Sequence, residues 1–599
     1  MENTSEQYKI QSRRSLRNES YLRVTFGIID PDALPSSTIT SDTEEYYSLA
    51  LDIGDVSKSA ITDIYETLEH NHYLLDGEAE APPASDWMYQ GYVSSLISDE
   101  EGVFETPPSM EIDFSDYFVF SGLTFKFDGV NGDHAKQIRV KAFLDDVEVF
   151  NELGEIEYFE GIFEEDIPVH NRLLIQFVST NKPFRRIRLT HILFGLVKIF
   201  DDSTITETTD KRVIEPMNTK LPKYEFSFTI IDAEKAYNPD NPTGVYKYLE
   251  SQQPVRYEYG YKLDDDSIEW VLGGNNFTTG EVDVTSSGAL SKVTFKSSST
   301  LEYLTDVYDQ GVYSATPKTL KQLAEEVLQF AELPLNELSE EMWILDDSLS
   351  TYSTSSPLPL LPIRECLQLI ANAGMCTLSV NREGKIVIAP FSWTPQDFRL
   401  DFKDFMNPPE VKKYPSLYSV RTSYTTINLG ASEQLSSVPV SVALPTVMYF
   451  EYEPAAEVVL NVGAGLTLTG SVQYYARGCY ATLHGTGTIT ITGKRLTFRR
   501  NPVTVQYLPY GDECPIENEL ISTRQHAVDY AAWVKTFVEL INEYTVNTRG
   551  YPEVDIGDVI DIETLFEETL PVIVTESDVT YNGALRGRAK FLIGRGLDG

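Results

Sequence analysis

Tyr224 to Asp232 reads YEFSFTIID, and with Lys223 before it this stretch decides the fold. Aromatic and β-branched residues alternate with polar ones at period two, the pattern of a strand with one buried face. The turn-rich YNPDNPTG of Tyr237 to Gly244 closes it. Far upstream, Tyr21 to Asp30 (YLRVTFGIID) ends in the same way and stops at the turn-forming pair Asp30-Pro31. Two such strands fit one sheet whose chain is interrupted by an insertion, although so short a likeness does not establish a repeat.

The neighbouring patterns extend this sheet. Tyr46 to Ile53 alternates Tyr47, Leu49 and Leu51 before Gly54-Asp55, and Gln253 to Lys262, Trp270 to Phe277 and Ser291 to Lys296 continue as strands. A first β domain therefore spans 1–86 and 201–305. Between its halves, the Pro- and Ala-containing stretch Ala79 to Ala84 reads as a linker into a new unit. Asp99 to Asp166 holds 19 Asp and Glu against 4 Lys and Arg. Alternation nonetheless persists in FVFSGLTFKF, IRVKAF and LLIQFV, so residues 87–200 read as a folded β-sandwich with a solvated acidic face.

After residue 305 the period changes. Leu320, Leu323, Ala324, Val327, Leu328 and Ala331 form the stripe of a core-facing helix over Lys318 to Ala331, ended by Pro334. Pro362 to Ala373 is a second helix, with Pro at its start and Gly374 past its end. It leads into a hairpin, Cys376 to Val380 and Lys385 to Ala389, and the whole makes an α+β unit over 306–400. The last third, 401–599, is β again, with strands at Leu417–Thr425, Val447–Glu453, Glu457–Val462, Thr486–Phe498, Val503–Leu508, Val572–Thr575 and Gly587–Ile593. A long helix over Ser522 to Tyr544 interrupts them. The glycines between Asn461 and Gly485 mark turns and bulges, since no phosphate-loop context surrounds them. The fold class is mainly β with an α+β part.

Composition narrows the function. The chain has 599 residues, with 91 Asp and Glu against 48 Lys and Arg and a formal net charge of -43. Such a surface repels phosphates, which disfavours a protein that grips nucleic acid but permits one past which DNA slides. Met1 to Leu16 is polar, with Arg13 and Arg14 but no apolar stretch that could serve as a signal peptide, and no run of about 18 apolar residues is present, so cytoplasmic synthesis without a membrane span is expected.

Chemistry finds little footing. Cys366, Cys376, Cys479 and Cys514 lack CxxC spacing and read as buried thiols; Cys366 has no assignable His partner that would make it a nucleophile. His70 and His72 share a face only in a strand and lack a third ligand. Carboxylate pairs can be drawn almost anywhere among so many acids. Arg185, Arg186 and Arg188 form a basic cluster that most simply pairs with the acidic surface, with a phosphate or teichoic-acid polymer as the alternative. No metal, cofactor or catalytic residue is expected, and the protein reads as a non-enzyme.

The order of these parts resembles the baseplate-hub and tail-tip proteins of tailed bacteriophages. The resemblance covers roughly 210–599 and is carried by YEFSFTIID, YNPDNPTG, IRECLQLIANAGMCTLSVNREGKIVIAP and RGYPEVDIGDVIDI at Arg549 to Ile562. It implies two tube-forming β domains per chain, here 1–86 with 201–305 and 401–599. A homotrimer would then imitate sixfold symmetry and dock on a hexameric tail tube. It further implies a virion protein at the distal end of the tail, assembled in the host cytoplasm. Its partners would be a tail-tube or distal tail protein and a tape-measure protein, and DNA would pass an acidic lumen without specific binding. The inserted 87–200 resembles carbohydrate-binding-like jelly rolls of phage tails. That resemblance implies host cell-wall polysaccharide as a ligand, with Trp87, Tyr89, Tyr92 and Tyr158 as candidate sugar-contacting aromatics. The rival reading is a glycan-active surface protein, a polysaccharide-binding depolymerase.

Overall fold

The computed structural model describes residues 1–593 apart from 15–16, 18, 30–32, 35, 44–47, 49, 51–52, 54–68, 70–90, 121, 128–131, 157, 164, 166, 234, 242–245, 247–248, 250, 287–290, 332, 334–340, 416 and 567–568. The expected strand Tyr46–Ile53 falls largely outside the described residues. Asp30-Pro31, the linker Ala79–Ala84, the end of YNPDNPTG, Pro334, His70 and His72 also lie outside them.

In Lys223–Ile231 the side chains of Tyr224, Phe226, Phe228 and Ile230 are buried, while Lys223, Glu225 and Ile231 are exposed. The strand lies in a 13-stranded sheet, whose first half runs in space Gly195–Asp201, Ser20–Ile29, Pro254–Lys262, Ile268–Ser286, Ser291–Ser298, Lys223–Ile231 and Ile205–Val213. The two strands at the ends of that series are joined by a turn, in which the Thr204 N–H donates to the Asp201 carbonyl at 3.0 Å. The half-sheet consequently rolls up on itself. Its interior is aromatic, with Phe228 and Phe295 stacked at 4.9 Å and Phe200 reaching across to within 5.8 Å of Phe228.

Ile205–Val213 pairs on its other side with Leu570–Tyr581, from Thr208 opposite Tyr581 to Val213 opposite Glu576. There the second half of the sheet begins, continuing through Leu585–Ile593, Asn542–Thr548 and Glu410–Lys413. Val559–Ile562 and Pro395–Leu400 attach beside Leu570–Tyr581. This half encloses its own core, including Phe398, Leu400, Val546, Ile560, Val574 and Phe591. The fold is mainly β, as the alternating patterns indicate.

Two further sheets, one of five strands and one of four, pack face to face between Ser37 and Leu193. Ile112, Val140 and Ile175 from one meet Leu123, Phe125 and Leu189 from the other in a shared core. The α+β part holds helices Leu320–Phe330 and Ile363–Ala373 against a three-stranded sheet of Trp343–Leu345, Ile386–Ala389 and Thr377–Val380. Thr319 and Gln322 close a capping box at the start of the first helix, and the hairpin lies where the alternation places it.

Two sequence expectations require correction. Leu417–Thr425 and Val447–Glu453 are not separate strands but parts of one, Leu417–Glu451, and Thr486–Phe498 and Val503–Leu508 likewise fall on one strand, Gly478–Gln506, with which it pairs along its length. This ribbon forms an arm with a core of its own, including Val440, Phe450, Leu483, Ile489 and Ile491. Much of the intervening sequence faces water, so burial imposes no clean alternation on it. Inside Gly478–Gln506, where it lies opposite both Val442 and Leu466, Gly485 has φ of 105°, and a Cβ there would lie 2.2 Å from the Gly465 carbonyl oxygen. Close backbone approach therefore requires glycine at that position.

The long helix is Arg524–Val538, not Ser522–Tyr544. The Glu539 N–H closes it onto the Lys535 and Phe537 carbonyls, and Asn542–Thr548 is already a strand between Glu410–Lys413 and Leu585–Ile593. At the other end the Thr523 hydroxyl accepts the His526 N–H at 3.2 Å. Thr523→Ala should destabilise the protein by about 1 kcal/mol through loss of that cap. Urea denaturation followed by circular dichroism checks it, and an unchanged midpoint would mean that the cap contributes nothing.

Candidate functional site

The RGYPEVDIGDVIDI stretch meets three other parts of the chain. Gly550 and Gly557 take positive φ, 77° and 84°, and the loop they shape turns at Asp558 into the buried strand Val559–Ile562, as the motif suggests. At its centre Asp555 accepts from two buried guanidiniums. Arg212 Nη1 reaches Asp555 Oδ1 at 3.0 Å, and Arg382 Nε reaches Oδ2 at 2.9 Å. Arg212 stands on the strand that joins the two half-sheets, where it also binds Asp210 at 2.7 Å and the Tyr257 hydroxyl at 3.1 Å. Arg382 comes from the turn of the α+β hairpin and donates to the Leu272 and Val554 carbonyls. Arg17 adds bonds to the Arg549 and Gly550 carbonyls and to the Tyr261 hydroxyl.

The electrostatics follow from this arrangement. Burial would raise the Asp555 carboxyl, but Arg212 and Arg382 outweigh it and hold the group well below the usual carboxylate range. Glu553, two residues earlier, shifts the other way, because burial dominates over Arg17 and Arg382. The junction uses its charges on one another and on backbone carbonyls, which suits a structural lock. Sequence reasoning found the loop but not its partners, since Arg212 and Asp555 are 343 residues apart.

The outward face of the sheet is the second candidate surface. Arg23 pairs with Glu258, Lys296 with Glu281 and Asp283, and Lys590 with Glu576. Lys211 lies opposite Asp578, which lies opposite Arg588. Opposite charges thus alternate across adjacent strands, so this face is not the acidic wall that a repulsive lumen would require. The concentrated acid excess lies instead at 99–166.

Of the sugar candidates, the two that are described differ in exposure. Trp87 and Tyr89 lie outside the described residues. Tyr92 is fully buried, stacked on Phe177 at 5.6 Å with its hydroxyl bonded to Asp42, and offers solvent no face. Tyr158 is 68% exposed. The basic cluster is also structural. Arg188 is buried against Glu69, Arg186 donates to the Ser94 and Ser95 carbonyls, and Arg185 pairs with Asp133, so a polymer-binding patch is not formed. Burial pushes the Cys366 thiol up to about 12 and Cys376 to about 11, the reverse of nucleophile activation. Cys479 is buried too, but Cys514 is only half-buried. Among the described residues no group of three or more His, Cys, Asp or Glu is placed to hold a metal, and no helix is long and apolar enough to cross a membrane.

No family model and no curated protein matches the chain. The solved structures it matches include the 43 kDa tail protein of prophage MuSo2 from Shewanella oneidensis, with 11% identity, 66% of this chain and 96% of that chain covered, and a TM-score of 0.39. The tail protein from Neisseria meningitidis MC58 gives 8%, 66% and 93%, and 0.39. Prophage tail protein gp18 from Listeria monocytogenes EGD-e gives 8%, 67% and 92%, and 0.34. The chain is similar to phage and prophage tail proteins, at identities and scores that leave its function to be argued from its own sequence and geometry.

Proposed function

We propose that the chain is a structural, non-enzymatic tail protein, a hub or tip subunit that forms a threefold ring at the distal end of a phage-type tail tube. The observation that carries this reading is the seam between Ile205–Val213 and Leu570–Tyr581, which joins two rolled half-sheets into one. Each copy then presents two β units in a fixed relation, and three copies would present six, matching a hexameric tube. The order of parts from 210 to 599 supports the same assignment. Ser37–Ser41 pairs into the sandwich and Gly195–Asp201 into the large sheet, so the tube-like units would be Ser20–Ile29 with Gly195–Ser298 and the strands of 401–599 outside the arm, with 306–400 the α+β domain beside them.

A tail-tube or distal tail protein and a tape-measure protein are the proposed partners, with assembly in the host cytoplasm. The alternating charges of the outward sheet face offer a phosphate backbone little net attraction, which suits DNA passage without specific binding. The sandwich would serve attachment to host cell-wall polysaccharide, with Tyr158 as one of its exposed aromatics beside Tyr117 and Phe159. Mass photometry of the purified chain with and without tail-tube protein should show trimers that bind the tube protein. Persistent monomers without binding would overturn the reading. Incubation with host cell-wall polymers should leave their length unchanged, whereas shortened products would favour the depolymerase reading.

A further inference from the structure

A cleft of about 480 Å³ opens where the first half-sheet meets the α+β part, a volume in the range of small-molecule sites. Leu221, Lys223, Glu225 and Ser298 reach it from the sheet and the chain leading into it. Glu302 and Tyr303 come from the short helix Thr300–Tyr303, and Arg364 from the helix Ile363–Ala373. The alternation that buries Tyr224 and Phe226 turns Lys223 and Glu225 to the other face of their strand, where both are exposed. Register then sets Glu225 opposite Ser298, and Ser298 opposite Phe277.

Part of this lining is spent on the fold. The Tyr303 hydroxyl donates to the Phe277 carbonyl at 2.9 Å and also to the Thr278 carbonyl, which fixes the ring beside the cleft. Arg364 Nη1 donates to Glu302 Oε2 at 2.7 Å and to the Glu302 carbonyl at 3.2 Å. The remaining polar groups are uncommitted. Arg364 Nε is buried without a hydrogen bond. Among the described residues the Lys223 ammonium, the Glu225 carboxylate and the Ser298 hydroxyl have no partner either.

The chemistry of the uncommitted groups selects the ligand. Lys223 and Arg364 stand against Glu225 and Glu302, so the lining carries no net charge. A phosphate or an ammonium ion would meet attraction and repulsion in equal number. A hydroxyl both donates and accepts, so adjacent hydroxyls of one ligand can accept from Lys223 and Arg364 Nε, donate to Glu225, and bond to Ser298 in either sense. Leu221 and the ring of Tyr303 supply apolar surface beside these groups, suited to the C–H face of a sugar ring.

We propose that this cleft binds a neutral saccharide unit, hydrogen-bonded by Lys223, Glu225 and Ser298 and packed on Tyr303. The site lies outside the sandwich and is distinct from the polysaccharide attachment proposed for that module.

Saturation-transfer NMR of the full-length chain, titrated with glucose, galactose and N-acetylglucosamine, tests the proposal. At least one of the three should receive transfer, and the double variant Lys223→Ala, Glu225→Ala should raise its Kd about tenfold or more through loss of hydrogen bonds to charged groups. Thermal melting should be unaltered, because both side chains are at the surface. Tyr158→Ala, on the sandwich, should leave that Kd unchanged. Sugar binding that is indifferent to the double variant would overturn the cleft site, and its loss in Tyr158→Ala would at the same time uphold the sandwich as the attachment module. Absence of transfer to all three sugars, or tighter binding of inorganic phosphate or of zwitterionic alanine at the cleft, would overturn the assignment to a neutral saccharide.

Discussion

Asp555→Ala is expected to destabilise the protein by about 3 kcal/mol, the cost of leaving buried guanidiniums short of a carboxylate. Arg212 and Arg382 are 8% and 4% exposed at their side chains, and Asp555 itself only 21%. Arg212 keeps Asp210, and Arg382 keeps two carbonyls, which holds the loss toward the lower end for a buried pair. The pH dependence distinguishes this account from a simple packing loss. Asp555 is lowered on folding, so its contribution is complete above the unfolded carboxylate value of about 4 and is lost as pH falls toward the depressed folded value. Glu553 is raised, so it favours the folded state at low pH and opposes it as pH rises. Urea titrations between neutral and acid pH should show Asp555→Asn losing stability at pH 7 and flattening the acid side. Glu553→Gln should be neutral or stabilising at pH 7. Equal losses in both variants would show that the junction is held by shape and not by charge.

The distinction between Asp555 and Glu553 also marks what a linear sequence can disclose. RGYPEVDIGD announces a turn into a buried strand through Gly557 and the apolar run after it, and the structure agrees. Nothing near Asp555 in sequence reveals that Arg212 and Arg382 will meet it, because folding of distant segments creates that contact. The same division runs through the fold. YEFSFTII shows its buried face because one side of the strand is shielded and the other is wet. The Leu417–Glu451 ribbon exposes long stretches, so its pairing with Gly478–Gln506 leaves no period-two record where both faces are polar. Ile541 to Tyr544 suits a helix by its apolar spacing, yet the ladder offered by Leu585–Ile593 prevails over local propensity. Aromatic identity likewise does not fix exposure: Tyr92 and Tyr158 look alike in sequence, yet one fills the sandwich core and the other faces water.

Phe295→Ala is expected to destabilise the chain by about 3–5 kcal/mol, the range for truncating a buried phenylalanine. Its ring lies 5.1 Å from Phe26, 4.9 Å from Phe228 and 5.3 Å from Tyr237, so it touches strands from opposite sides of the rolled half-sheet. Removing it opens a cavity walled by other rigid rings, each already packed on its own neighbours and unable to collapse inward without leaving a favourable rotamer. Phe295→Leu should recover part of the loss, because it restores volume but not the edge and face contacts. The location of the damage is the sharper readout. The arm has a core separate from the one containing Phe295, and the sandwich is likewise distinct. Hydrogen exchange should therefore rise in the strands around Phe295 and across the seam at Leu570–Tyr581, while the arm between Val438 and Ile491 keeps its protection. A uniform rise including the arm would mean that the cores unfold as one unit. Unchanged exchange at the seam would mean that the two half-sheets, although hydrogen-bonded into one surface, are stabilised independently. A ring subunit that must hold two β units in register would then need the Asp555 junction, rather than the shared sheet, to keep them aligned.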